Sequence, residues 1–292
     1  MIASRLLIPA ALVVLVSAGV HTLAQDTAAP QRRRAARPAQ IGVQLYSVRD
    51  DCAKDLPGVL KAVAKMGYAG VEFAGYYGRS AEELRKMLDE NGLKCCGTHT
   101  GLDTLLGDNL AKTIAFNKTL GNRYLIVPGL PEERTKDKAA WLETAKLFNE
   151  ISEKLRGENM YVGYHSHAGD FKKVDGTTGW ELFFGNTNPR VVMQLDFGNT
   201  KSAGVDPIPF LDAYPGRQRT VHIKEYSKSN PNALLGDGDI DWVKALTLLK
   251  TKGRNQWLIV EAESTDTTPL DCIEKNLVRL KALRAKADAA SK

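Results

Sequence analysis

Three observations predict an α/β chain folded as a single (β/α)8 TIM barrel. Strand-like and helix-like patterns alternate eight times over about 250 residues, the size expected of that fold. No GxGxxG follows the first strand, which disfavours a doubly wound open sheet. Four successive apolar runs also end in polar groups: Tyr161-Val-Gly-Tyr-His165, Val191-Val-Met-Gln-Leu-Asp196, Thr220-Val-His222-Ile-Lys224 and Trp257-Leu-Ile-Val-Glu261. Buried parallel strands are almost wholly apolar, so a His, Asp or Glu closing each run is placed for chemistry rather than packing.

The N-terminus is read apart from the barrel. Arg5 precedes an apolar stretch from Leu6 to Val20, and Thr22-Leu23-Ala24 offers a cleavage site before Gln25. This is the layout of a secretory signal peptide over residues 1–24. The chain is therefore expected to be exported, periplasmic or secreted, with no membrane contact after cleavage. Residues 25–40 are rich in Ala, Pro and Arg without apolar periodicity, and are expected to form a disordered linker. The barrel domain is expected over residues 41–292. Residues 1–40 hold five Arg and one Asp, four of the six net positive charges. The remainder is near neutral, which gives no basis for binding nucleic acid.

Strands are expected near 41–46, 70–73, 94–98, 123–127, 161–165, 192–196, 220–224 and 257–261. The first helix is expected over Asp55–Met66, stopped by Gly67. The second runs over Ser80–Asn91, with Ser80 and Glu83 forming a capping box. Others are expected near 106–120, 137–155, 178–185, 207–213, 241–251 and 267–286, the fifth repeating the capping signature at Thr178 and Glu181. Cys52, Cys95, Cys96 and Cys272 lack CxxC spacing, so a zinc ribbon is not expected. Cys95 and Cys96 point to opposite faces of their strand, and buried free thiols are the expectation.

Active sites of such barrels lie at the C-terminal ends of the strands. There the sequence offers Gln44, Tyr46, Glu72, His99, His165, His167, Asp196, His222, Lys224, Glu261 and Glu263. Four of the five histidines fall in this set; the fifth, His21, lies in the expected leader. Alternate residues share a face, so His165 aligns with His167 and His222 with Lys224. The expected metal ligands are His165, Asp196, His222 and Glu261, with His167 in reserve. A mixed nitrogen and oxygen set suits one Mn, Co, Zn or Fe ion better than Mg or Ca. Asp237, Asp239 and Asp241 imitate the start of a calcium loop. The required glycine is replaced by Trp242 and the closing glutamate by Leu248, so Asp241 is expected to cap a helix instead.

Several segments together resemble the sugar phosphate isomerase/epimerase superfamily, the xylose isomerase-like TIM barrels. They are Ile41-Gly-Val-Gln-Leu-Tyr-Ser-Val-Arg49, Gly70-Val-Glu-Phe-Ala-Gly75, Gly163-Tyr-His-Ser-His167 with Asp170-Phe171, Leu195-Asp-Phe-Gly-Asn199, Val221-His-Ile-Lys224, Gly236-Asp-Gly-Asp-Ile-Asp-Trp242 and Ile259-Val-Glu261. The resemblance implies a divalent-metal isomerase or epimerase that enolises a keto sugar. It also implies a Glu, Asp, His, Glu ligand set on strands five to eight, and this chain has His165 at the first of these. Two opposed glutamate bases are then unavailable, which raises β-elimination as the alternative. Exported relatives with the Gly-Tyr-His-Xaa-His pattern resemble 3-keto-glycoside lyases or hydrolases. A non-catalytic sugar-binding protein is a further alternative. An AP-type endonuclease is opposed by the few histidines and the near-neutral body.

On the enzymatic reading, Glu261 or His167 is the expected base. Lys224 is expected to stabilise the enolate or protonate the leaving group. Tyr46, Glu72, His99 and His167 are expected to bind substrate hydroxyls. The partner is a small carbohydrate, and homo-oligomerisation is left open.

Overall fold

The structure, a computed structural model, describes residues 38–264 and 266–290. The expected signal peptide and the expected linker up to residue 37 lie outside the described residues. Eight parallel strands form the barrel: β1 (Gln40–Gln44), β2 (Gly70–Phe73), β3 (Lys94–His99), β4 (Tyr124–Val127), β5 (Tyr161–His165), β6 (Val192–Gln194), β7 (Thr220–Ile223) and β8 (Trp257–Val260). They are ordered β6-β5-β4-β3-β2-β1-β8-β7. The remaining gap, between β6 and β7, is spanned by a single parallel bridge from Asp196 to His222. Hydrogen bonds from His222 N to Leu195 O and from Met193 N to Arg217 O, each 3.0 Å, hold this seam.

The helices are α1 (Arg49–Met66), α2 (Ala81–Glu90), α3 (Asn109–Leu120), α4 (Lys138–Lys154), α5 (Gly179–Asn186), α6 (Phe197–Ser202), α7 (Ile208–Ala213), α8 (Trp242–Leu248) and α9 (Pro269–Ala290). Helix α1 starts before the expected Asp55 because two helical pieces meet there. Asp55 is extended (φ −150°, ψ 75°) and its carboxylate accepts from Gly58 N, recapping the chain just ahead of Pro57. Proline is tolerated in that first turn. The capping boxes at Ser80 and Thr178 form as expected. Helix α6 and a hairpin of Lys173–Val174 with Thr177–Thr178 were not expected. The hairpin turns at Asp175 and Gly176, both with positive φ, the dipeptide such turns favour.

Two apolar layers support the barrel. The larger lies between strands and helices and includes Phe148, Trp180, Phe183 and Trp242. The smaller fills the interior with Cys96, Tyr124, Ile126, Tyr161, Val192, Trp257 and Ile259. A Cβ at Gly70 would lie 2.5 Å from Lys94 O and 3.0 Å from the Trp257 ring, so glycine makes room for the indole. Cys95 packs outward and Cys96 inward, as their alternation requires, and all four cysteines are free and buried. No helix among the described residues is long and apolar enough to cross a membrane.

Candidate metal centre

The C-terminal strand ends converge on one buried cluster. One ligand atom each from His165, Asp196, His222 and Glu261 lies within 4.8 Å of the others. Local structure explains how Asp196 is set. Its backbone N donates to Ser166 Oγ (2.8 Å), and its Oδ1 caps α6 by accepting from Asn199 N (2.6 Å). The cap leaves Oδ2 buried with no hydrogen-bond partner, and His165 Nδ1 is in the same condition. A buried carboxylate oxygen and a buried imidazole nitrogen left unsatisfied on two members of one cluster are costly, a cost that a bound cation would offset. The four residues thus fit a divalent ion.

His222 is held from two sides. Its Nδ1 lies 2.8 Å from Glu261 Oε2 and 3.6 Å from Asp196 Oδ2, while Nε2 lies 2.6 Å from Glu72 Oε2. Glu72 is fully buried and also accepts from Gln44 Nε2 and Gln194 Nε2, each at 2.8 Å. A β-bulge after Val71 sets Glu72 beside Gly97, where any Cβ would collide with the carboxylate. Burial alone would raise the Glu72 carboxyl, but His99 and His222 outweigh it and hold it well below the ordinary range. The same balance acts on His222, which Glu72, Asp196 and Glu261 raise against burial. His165 behaves oppositely: burial, reinforced by His222 and His99 against the pull of Glu261, lowers it and keeps it neutral, the form that binds metal.

Lys224 Nζ donates to Glu261 Oε1 (2.7 Å) and lies 3.6 Å from Glu263. Burial opposes its charge, but Asp196 and Glu261 more than compensate, so it stays a fixed cation. Proton delivery by Lys224 is therefore disfavoured, and stabilisation of negative charge is favoured. His167 sits at the mouth, exposed, its ring 4.8 Å from that of His165. Burial of part of its ring lowers it despite Asp196 and Glu261. Its backbone N donates to Asp170 Oδ2 (2.7 Å), and Tyr164 donates to the other oxygen of the same carboxylate (2.7 Å).

The structure brings together all the expected ligands, with Lys224, His167 and His99 beside them. It corrects the role expected for Glu72: its oxygens are occupied beneath the cluster, where a sugar hydroxyl has no access. Tyr46 stands at the rim, 46% exposed, with the Arg49 guanidinium 4.2 Å above its ring. Gln194, Ser166 and Arg49 were missed as site residues. Gln194 was findable, since it lies two residues before Asp196 and so on the same strand face. Arg49 pairs with Glu263 at 2.9 Å. The calcium-like aspartates are engaged elsewhere: Asp237 with Arg279, Asp239 with Lys228 N, and Asp241 as cap of α8.

A family model for the xylose isomerase-like TIM barrel matches residues 60–283. The chain belongs to this family. Among relatives of this xylose isomerase-like barrel, an inosose dehydratase of Geobacillus kaustophilus is 25% identical over 275 residues, spanning 77% of this chain and 88% of its own. An inosose dehydratase of Clostridium tetani is 30% identical over 142 residues, 42% of this chain and 47% of the relative; here the match spans about half of the relative. A crystal structure of a sugar phosphate isomerase/epimerase from Parabacteroides distasonis superposes with TM-score 0.70 at 26% identity, covering 85% and 96% of the two chains.

Proposed function

We propose that this chain is a divalent-metal-dependent lyase that enolises a small ketonic carbohydrate and expels a β-oxygen substituent. The observation that carries the reading is His165 at the β5 ligand position. With His165 there, the ligand set has Glu261 as its one glutamate, and both oxygens of Glu261 are engaged, by Lys224 and by His222. A symmetric two-glutamate proton exchange has no second glutamate; a one-sided elimination needs only one base. The name shared by the two inosose dehydratase relatives supports the same reaction class.

Asp196, His222, Glu261 and His165 would hold the ion. When bound, it would act as a Lewis acid on the substrate's oxygens and lower the cost of removing the α-proton. His167, just past the end of β5 with its ring beside that of His165 and open to the mouth, takes that proton. The C–H electron pair becomes the enolate double bond, and its charge develops near the fixed ammonium of Lys224. Re-formation of the carbonyl then breaks the β C–O bond; the leaving oxygen takes the proton held on His167 and departs as water or an alcohol, leaving an unsaturated ketone. Arg49 and Lys224 at this rim are both paired with glutamates, which favours an uncharged sugar over a phosphorylated one. A 3-keto-glycoside fits the same chemistry with the aglycone as leaving group. We also infer export, from the Arg5–Ala24 pattern; N-terminal sequencing of the mature protein beginning at Met1 would refute it.

The second reading, isomerase or epimerase, is favoured by the 26% identity to the Parabacteroides structure. Incubating the metal-loaded protein in D₂O with free keto sugars, keto-cyclitols and 3-keto-glycosides separates the two. Loss of water or aglycone with an unsaturated ketone supports the lyase. Deuterium at the α-carbon of an interconverted sugar replaces it with the isomerase.

A further inference from the structure

The opposite end of the barrel carries a feature that the reaction does not use. Four consecutive strands contribute to it at their N-terminal ends. Arg123 directly precedes β4, Tyr161 opens β5, Arg190 stands two residues before β6, and Arg219 directly precedes β7. The three guanidinium carbons lie 5.6, 4.5 and 4.4 Å from the centroid of the Tyr161 ring, which is itself 8% exposed. Arg123 donates to the backbone and side chain of Asn159, and Arg190 donates to Met160 O. The Nε atoms of Arg190 and Arg219 are buried without a partner. Among the described residues, none of the three arginines has a carboxylate within 4.0 Å; Glu153, lowered chiefly by its partner Arg156, also feels the charge of Arg190 from farther off. Neighbouring strand starts carry Lys94, Gln40 and Gln256, again with no acid.

The two ends of the barrel therefore differ. At the C-terminal rim, Arg49 and Lys224 each have a glutamate. At the N-terminal rim, three half-buried guanidinium groups crowd one tyrosine ring. Stacking on an aromatic face stabilises each cation separately, but like charges this close repel, and partly buried charge without a counter-ion is unfavourable. An arginine fork matches the oxygens of a tetrahedral oxyanion better than any other side chain does.

We propose that Arg123, Arg190 and Arg219 form a binding site for a tetrahedral oxyanion of the phosphate or sulfate class. An anion held by Arg190 and Arg219 joins the starts of β6 and β7, the one pair of neighbouring strands with no continuous ladder. Binding there staples the seam from below, at the end remote from Asp196 and His222.

The test is calorimetric titration of the full chain with inorganic phosphate, alongside thermal unfolding in phosphate or chloride at matched ionic strength. Phosphate and sulfate stabilise most proteins by exclusion, so saturation and the response of variants decide the matter. The expected result is a saturable rise in Tm, with affinity weakened by at least roughly tenfold in Arg219→Gln and in Arg190→Gln. Arg219→Lys, which keeps the charge and loses the fork, should fall between wild type and Arg219→Gln. Glycerol 1-phosphate binding more tightly than phosphate would assign the site to a phosphate ester; the reverse would assign it to the free ion. A Tm that rises without saturation and equally in wild type and both Gln variants overturns the proposal, as does the absence of binding heat. Should one Gln variant fail to fold, the other carries the comparison.

Discussion

His222 is aimed by a residue that substrate cannot touch. With Nε2 committed to Glu72, Nδ1 is left facing Asp196 and Glu261, so Glu72 sets which nitrogen reaches an ion. Removing such a partner typically lowers metal affinity by about 10–100-fold. Glu72→Gln should therefore weaken Mn²⁺ binding by that factor in calorimetry, while Glu72→Asp recovers part of it. His167→Gln should do the opposite, leaving metal content unchanged and lowering kcat by roughly 10²–10⁴-fold, the usual contribution of a general base. A parallel loss of metal in that variant would instead make His167 a ligand. The ligand types were legible because each interrupts an apolar strand. The function of Glu72 was not, because its direction depends on a bulge and on two glutamines from other strands.

The elements show the same division. Ser80 and Glu83 announce α2 locally, and Ser80→Ala should cost about 1 kcal/mol in urea unfolding. By contrast, α6 has only six residues and starts from a side chain that also faces the metal centre, so no apolar periodicity marks it. The β5–α5 connection stores a pH dependence. Burial pushes Asp170 up to about 6 from 3.8, against the lowering effect of bonds from His167 N and Tyr164. The folded chain thus takes up this proton at a higher pH than the unfolded chain. The cost of burying the carboxylate stands in full above pH 6 and is relieved as pH falls toward 4, by about 3 kcal/mol. Asp170→Asn lacks this component. The stability difference between variant and wild type should therefore shift by about that amount, in favour of wild type, between pH 7 and pH 4. A difference constant with pH would refute the buried-carboxylate account.

For the whole molecule, an ion at the centre joins residues from β5, β6, β7 and β8, and so favours the closed barrel over the unfolded chain. Stripping a metal present at about 100 times its Kd removes roughly 3 kcal/mol, which should lower Tm by roughly 5–10 °C; a chelator that leaves Tm unchanged would argue against this linkage. The barrel itself was readable because eight strand–helix alternations have few other solutions. The nearly open β6–β7 seam was not readable, since strand pairing is a relation between distant segments. That seam also bears on how this site can diversify. Asp196 and His222 are at once candidate ligands and the bridge that closes the wall, so a change at either alters architecture together with chemistry. His165 ends a strand laddered to neighbours on both sides, so its side chain can be exchanged without opening anything. Position 165 is thus where a lineage built on this scaffold is free to trade one reaction for another.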